Sequence, residues 1–182
     1  MHPNANHILG PNNLAFMHGP GHKRLRQSFL HLFSRKALGI YVQNQDRIIR
    51  QYLDEWFKTK GIREMRDPIR DLNQDTSQQV FIGPYLDNDE VRAKFSAGYR
   101  AMTDAFLAFP LCVPGTKLWQ GKQGRLYVMT VLEECTGRAL QAMRQGMEPR
   151  CLLDFWAQQV LKDMAEADAK GEPHPEYCTT HR

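Results

Sequence analysis

His22 and Arg26 stand four residues apart in the stretch Gly19-Pro20-Gly21-His22-Lys23-Arg24-Leu25-Arg26-Gln27-Ser28-Phe29-Leu30. On a helix, residues at i and i+4 share one face. Arg offers a rigid fork of N–H donors that matches a carboxylate, and His donates from a ring nitrogen. Held this way, the pair can grip two carboxylates of one ligand; the bland alternative is a solvated helix start. Further on, Asn73, Asp75, Thr76, Ser77, Gln78 and Gln79 crowd one stretch with polar groups. Side chains of this kind along a packed helix bond to neighbouring turns, so the block reads as structural. His7, His18, His31 and His174 show no His-x-x-x-His spacing among themselves, although His18 stands four before His22 across Gly19-Pro20-Gly21, and Cys112, Cys135, Cys151 and Cys178 form no Cys-x-x-Cys pair. Neither set makes a metal site, and free thiols of a reducing compartment are the expectation.

The elements that must position these residues are helical. Residues 1–18 carry Pro3, Gly10, Pro11 and Asn12-Asn13 without periodicity and read as loop. A first helix is expected over 20–33, with Pro20 suited to its first turn. Ser34 then caps a long helix over 35–58, in which Leu38, Tyr41, Val42, Ile48, Ile49, Tyr52, Leu53 and Trp56 recur at three- and four-residue spacing. Lys58 and Lys60 close it before Gly61. Further helices are expected over 67–82, 88–109 (capped by Asp87 or Asn88), 119–146 and 152–169, with a Gly171, Pro173, Pro175 tail over 170–182. No run reads convincingly as a strand. The fold class is mainly α, about six helices.

Composition bounds the function. The 182 residues suffice for one domain, and 42% hydrophobic with 24% charged residues is ordinary for a globular protein. The net charge of +4 is mild and its basic cluster local, which disfavours a nucleic-acid binder. No apolar run approaches the ~18 residues of a membrane span, and the start does not read as a signal peptide.

Three words carry a resemblance: the His-Lys-x-x-Arg block at His22–Arg26 with Phe33-Ser34-Arg35-Lys36 after it, the run from Asn73-Gln74-Asp75-Thr76-Ser77-Gln78 to Gly83-Pro84-Tyr85-Leu86, and Glu148-Pro149-Arg150-Cys151-Leu152-Leu153-Asp154-Phe155-Trp156. Together they resemble the cytochrome P-450 (haem-thiolate monooxygenase) superfamily, and within it the sterol C-22 desaturases. The resemblance implies a slice of that fold, running from its C-helix to its H-helix. It assigns His22 and Arg26 to the haem propionates. It places Leu14, Phe16 and Met17 above the active site, and Phe106, Phe109 and Leu111 where the F-to-G connection closes over a sterol and nears the endoplasmic reticulum membrane. The alternative for these apolar side chains is plain packing. Lys23, Arg35 and Lys36 are candidates for docking the acidic face of NADPH-cytochrome P-450 reductase, against plain solvation.

The sequence also departs from the family pattern. No cysteine stands in a Phe-x-x-Gly-x-x-x-Cys-x-Gly setting, where the family's iron thiolate resides, and no Glu-x-x-Arg occurs. Asp75-Thr76 mimics the acid–alcohol pair of the oxygen-activating helix, but Asn73 and Gln74 are too bulky for that helix's groove. The chain alone is therefore expected to be inactive, to bind haem weakly or not at all, and to expose apolar faces that limit solubility. The truncation and the absence of an anchor are read as features of a partial chain. The rival reading is a helical scaffold or interaction protein that kept the fold slice and lost the chemistry.

Overall fold

The computed structural model describes residues 4–10, 13–58, 61 and 64–174. Pro3, Pro11, Asn12, Lys60, Pro175 and Cys178, with the rest of the tail, lie outside them. Seven α-helices occur among the described residues, with no strand: α1 (Asn4–Leu9), α2 (Gly19–Ser28), α3 (Arg35–Lys58), α4 (Arg66–Phe81), α5 (Asp89–Ala105), α6 (Lys117–Arg144) and α7 (Leu152–Lys170).

Caps set three of these boundaries. The Ser34 hydroxyl accepts from the Ala37 N–H (3.3 Å) at the start of α3. Asn88, rather than Asp87, caps α5 by accepting from Glu90 and Val91 N–H at 2.9 and 3.1 Å. Gly171, left-handed at φ 66°, ends α7.

Three expectations need correction. Residues 1–18 are not all loop: α1 covers Asn4–Leu9, and a 3-10 turn covers Leu14–Phe16. The stretch 20–33 is not one helix. It ends at Ser28, whose hydroxyl bonds back to Leu25 O (2.7 Å), and resumes as a 3-10 turn over Leu30–Phe33. The helix expected over 88–109 stops at Ala105, because Asn4 donates its side-chain amide to Ala105 O (2.9 Å) and Ala108 O (2.7 Å) and satisfies that helix end from outside.

The chain divides into two compact units, Met1–Ser28 with Leu86–Cys135, and Phe29–Tyr85 with Thr136–Arg182. In the first, Ile8, Ala105 and Leu118 are fully buried, with Met102 and Phe106 packed on them. Here α5 and α6 cross on glycine. A Cβ on Gly124 would stand 2.5 Å from Gly98 O, and one on Gly121 would collide with Ala105 and Ala101.

In the second unit, Ala37, Tyr41 and Val80 form a core with Leu152 and Phe155. The Tyr41 hydroxyl donates to Leu32 O (2.9 Å), and Tyr52 donates to Asp75 (2.5 Å), tying α3 to α4. Thr76 bonds back to Leu72 O (2.9 Å) and Asn73 O (3.0 Å), so both Asp75 and Thr76 of the polar block serve the helix packing.

Beneath this core Asp154 is 0% exposed. It accepts from the Tyr85 hydroxyl (2.5 Å) and from the Arg150 backbone N–H (2.9 Å), with the Arg150 guanidinium at 3.4 Å. Arg150 also donates to the Tyr85 hydroxyl (3.1 Å), and Arg138 to Tyr85 O (2.9 Å). Both guanidinium carbons lie within 5.5 Å of the Tyr85 ring centroid. Gly83, at φ 47°, leaves no room for a side chain: a Cβ there would meet Cys151 Cβ at 2.8 Å.

Chemical denaturation should separate two glycines of α6. Gly124→Ala is expected to cost about 1–3 kcal/mol by overpacking, whereas Gly137→Ala, which meets nothing within 4 Å, should add about 0.5–1 kcal/mol by helix propensity. Tyr85→Phe should cost about 1–3 kcal/mol by removing one donor from a buried carboxylate, and Asp154→Ala about 3–5 kcal/mol by stranding its partners. Burial, then the bond to Asp154, pushes the Tyr85 phenol above its usual range; burial and Asp75 do the same to Tyr52, and burial with Cys151 takes Tyr41 to about 12. Because the folded values are raised, this stability is complete below the unfolded tyrosine value of about 10 and fades as pH climbs above it. Phenolate absorbance from these three should therefore appear only together with loss of helical circular dichroism; its appearance in a fully helical protein would contradict this burial.

Candidate functional site

Helix α2 opens at Gly19, left-handed at φ 72°, with Pro20 in its first turn. No acidic residue stands in that turn. His22 is half-buried, and Lys23, Arg24 and Arg26 are exposed. Four positions apart on one helix, His22 and Arg26 occupy the same face. Neither makes a side-chain hydrogen bond or ion pair with another described residue, so both donors remain available to a ligand. A haem presents two propionates, and this donor set fits them.

Of the described cysteines, Cys112 is exposed while Cys135 and Cys151 are buried. Burial, and then the charge of Asp154, pushes the Cys151 thiol up to about 12, so it is protonated at neutral pH. No group of three or more His, Cys, Asp or Glu among the described residues is placed to hold a metal ion.

The apolar candidates separate in the structure. Leu14, Phe16 and Met17 are half-buried on or beside the 3-10 turn that Asn13 caps by accepting from Ala15 N–H at 2.9 Å. The Met17 methyl lies 3.6 Å from where a Cβ on Gly21 would stand, so it packs on the first turn of α2. Phe106 turns inward to the Ile8–Ala105–Leu118 core. Phe109, 80% exposed, and Leu111 instead line a hollow of about 300 Å³ with Ala108, Thr116 and Lys117. Thr116 shapes it by donating to Leu111 O and Val113 O, both at 2.8 Å.

The basic candidates also part. Lys23 belongs to the first unit, Arg35 and Lys36 to the second. Lys23 and Arg35 are exposed, whereas Lys36 pairs with Glu148 at 3.0 Å on the surface. No helix of the described residues is long and apolar enough to cross a membrane.

Sequence reasoning passed over Asn4, whose role depends on a partner 101 positions away. It also passed over the joint roles of Tyr85, Arg138, Arg150 and Asp154. The signal for three of these was present: Tyr85 stands in one of the words that carry the resemblance, Arg150 and Asp154 in another, and the structure brings the two words together.

No family model matches the chain. Among curated proteins, cytochrome P450 710A4 of Arabidopsis thaliana is 34% identical over 166 residues, covering 89% of this chain and 34% of that protein. The C-22 sterol desaturase ERG5 of Candida albicans is 32% identical over 171 residues, covering 93% and 32%. The C-22 sterol desaturase ERG5 of Saccharomyces cerevisiae is 31% identical over 160 residues, covering 82% and 29%. The chain thus spans about a third of the length of the curated relatives it matches. With these likenesses along most of its own length and an all-helical order, the chain belongs to the cytochrome P450 superfamily, where its relatives include the C-22 sterol desaturases.

Proposed function

We propose that this chain forms the haem-edge and substrate-rim portion, C-helix to H-helix, of a sterol C-22 desaturase-like monooxygenase of endoplasmic reticulum membranes. The observation that carries the reading is the pair of unengaged donors, His22 and Arg26, on one face of α2. In this reading α2 is the C-helix and its two donors hold the haem propionates; bound haem supplies the oxygen chemistry, with electrons from NADPH through the reductase. Leu14, Phe16 and Met17 approach the sterol from one side, and Phe109 and Leu111 offer an apolar rim, with Phe106 as its backing. Lys23 and Arg35 attract the acidic reductase, while Lys36 must first leave Glu148. No cysteine of this chain is assigned to the iron, so turnover needs a ligand from elsewhere.

A second reading, a helical scaffold without catalysis, draws support from the Tyr85–Asp154–Arg150 cluster, which satisfies the second unit's buried charge without any cofactor.

Titration with hemin and with its dimethyl ester, which lacks the two carboxylates, tests the grip. Binding of hemin is expected to be weak, yet about tenfold tighter than binding of the ester, the worth of one charge-assisted hydrogen bond. Arg26→Ala should erase that preference. Equal affinity for the two porphyrins would remove the propionate role, and absence of both would favour the scaffold. The reduced carbon-monoxide complex should lack the red-shifted Soret band of a thiolate-bound haem.

A further inference from the structure

The segment that joins α5 to α6 holds its shape without a ligand. Asn4, fully buried, donates to Ala108 O (2.7 Å). The Thr116 hydroxyl is shared between Leu111 O and Val113 O, both at 2.8 Å, and accepts from the Trp119 N–H at 3.3 Å. Two backbone bonds, Leu111 N–H to Phe109 O (2.8 Å) and Thr116 N–H to Val113 O (3.1 Å), close the turns between them. The hollow of about 300 Å³ lined by Ala108, Phe109, Leu111, Thr116 and Lys117 is therefore preformed, and it lies within the first unit. Its size is at the lower end of the range for small-molecule sites.

Its walls and its edge differ in chemistry. Ala108, Phe109 and Leu111 offer hydrocarbon, and Phe109 is 80% exposed, so an apolar chain laid on it gains by leaving water. Thr116 spends its hydroxyl on the backbone of the same segment. Residues 106–116 carry no charged side chain, which leaves Lys117 as the one cation of the lining. Lys117 forms no ion pair with another described residue. It stands in the first turn of α6, a helix of 28 residues with no acidic group in that turn, so the helix dipole adds positive potential at the same edge.

An apolar trough with one cation at its edge is complementary to a single hydrocarbon chain that ends in one negative charge. A membrane surface fits less well, because attraction to anionic lipids is summed over several Lys and Arg side by side. One lysine serves one head group.

We propose that the hollow between α5 and α6 binds one molecule of a fatty-acid carboxylate, its chain on Phe109 and Leu111 and its head at Lys117. This goes beyond the sterol and haem reading above: the site calls on neither ligand, and its test adds neither.

Equilibrium dialysis of the full chain against dodecanoate below its micelle-forming concentration, and against dodecan-1-ol, the same chain without the charge, tests the site. One dodecanoate per chain is expected, held about fivefold more tightly than the alcohol, the worth of one exposed charge pair at a helix start. Lys117→Met should erase that preference and leave alcohol binding as it was, whereas Lys117→Arg should keep it. Ala108→Trp, which fills the hollow, should remove the binding of both amphiphiles. Phe109→Ser, at a side chain already open to solvent, should weaken both to the same degree. Circular dichroism of each variant confirms that helicity is kept. Equal affinity for acid and alcohol would overturn the proposal, as would uptake of several amphiphiles per chain that Ala108→Trp and Phe109→Ser leave unchanged. Absence of dodecanoate binding would overturn it too, and retention on phosphatidylserine vesicles in that case would assign the segment to a membrane. Loss of this site leaves the propionate grip of His22 and Arg26 standing, and failure of the hemin titration leaves this site standing.

Discussion

Moving the carboxylate of Asp154 out of water costs several kcal/mol, and nothing apolar around it can return that. The cost is offset by three hydrogen-bonding groups, the Tyr85 hydroxyl, the Arg150 backbone N–H and the Arg150 guanidinium. Each of these must therefore be where it is. Tyr85 requires the 3-10 turn after α4, and that turn requires a left-handed Gly83 pressed on Cys151. Arg150 must stand just before α7, where its own carbonyl accepts from Asn44 of α3 at 3.2 Å. One buried charge thus fixes the end of α4, the entry of α7 and, through Asn44, the lie of α3.

Much of the helical frame could be read from the chain because its boundaries are local events. Ser34, Asn88 and Gly171 act within a few residues of themselves, and pattern reasoning sees that range. The stretch 35–58 coincides with α3 for that reason. What could not be read is tertiary. Six residues are too few for α1 to show a period, and Asn4 ends α5 from a hundred positions away. Ser28 interrupts α2 through a single bond to Leu25 that a heptad-scale pattern does not register. The Asn73–Gln79 block read as structural, and Tyr52 and the turns of α4 itself account for Asp75 and Thr76.

At the candidate site the legible part was the pair of donors, whose spacing alone puts them on one face. The apolar residues were legible only as a set. Phe106 and Phe109 are three apart in sequence, yet one completes a core and the other is open to solvent: Phe106 is the cap residue directly after α5, and by Phe109 the chain has left the helix. Where a helix ends decides which of its neighbours face a ligand, and this end is made by a residue outside the helix.

The bond from Asn4 to Ala105 also places a clock on synthesis. At ribosomal rates of about 5–20 residues per second, the 101 residues between the two partners take about 5–20 s to emerge. The first unit is discontinuous, and the segment Phe29–Tyr85 of the second unit lies within that interval. During that time α1 lacks its carbonyl partners, while α3 and α4 can already pair through Tyr52 and Asp75. The order of emergence therefore runs opposite to the order of completion: the segment bearing His22 and Arg26 leaves the ribosome early and waits for its surroundings until α5 has been made.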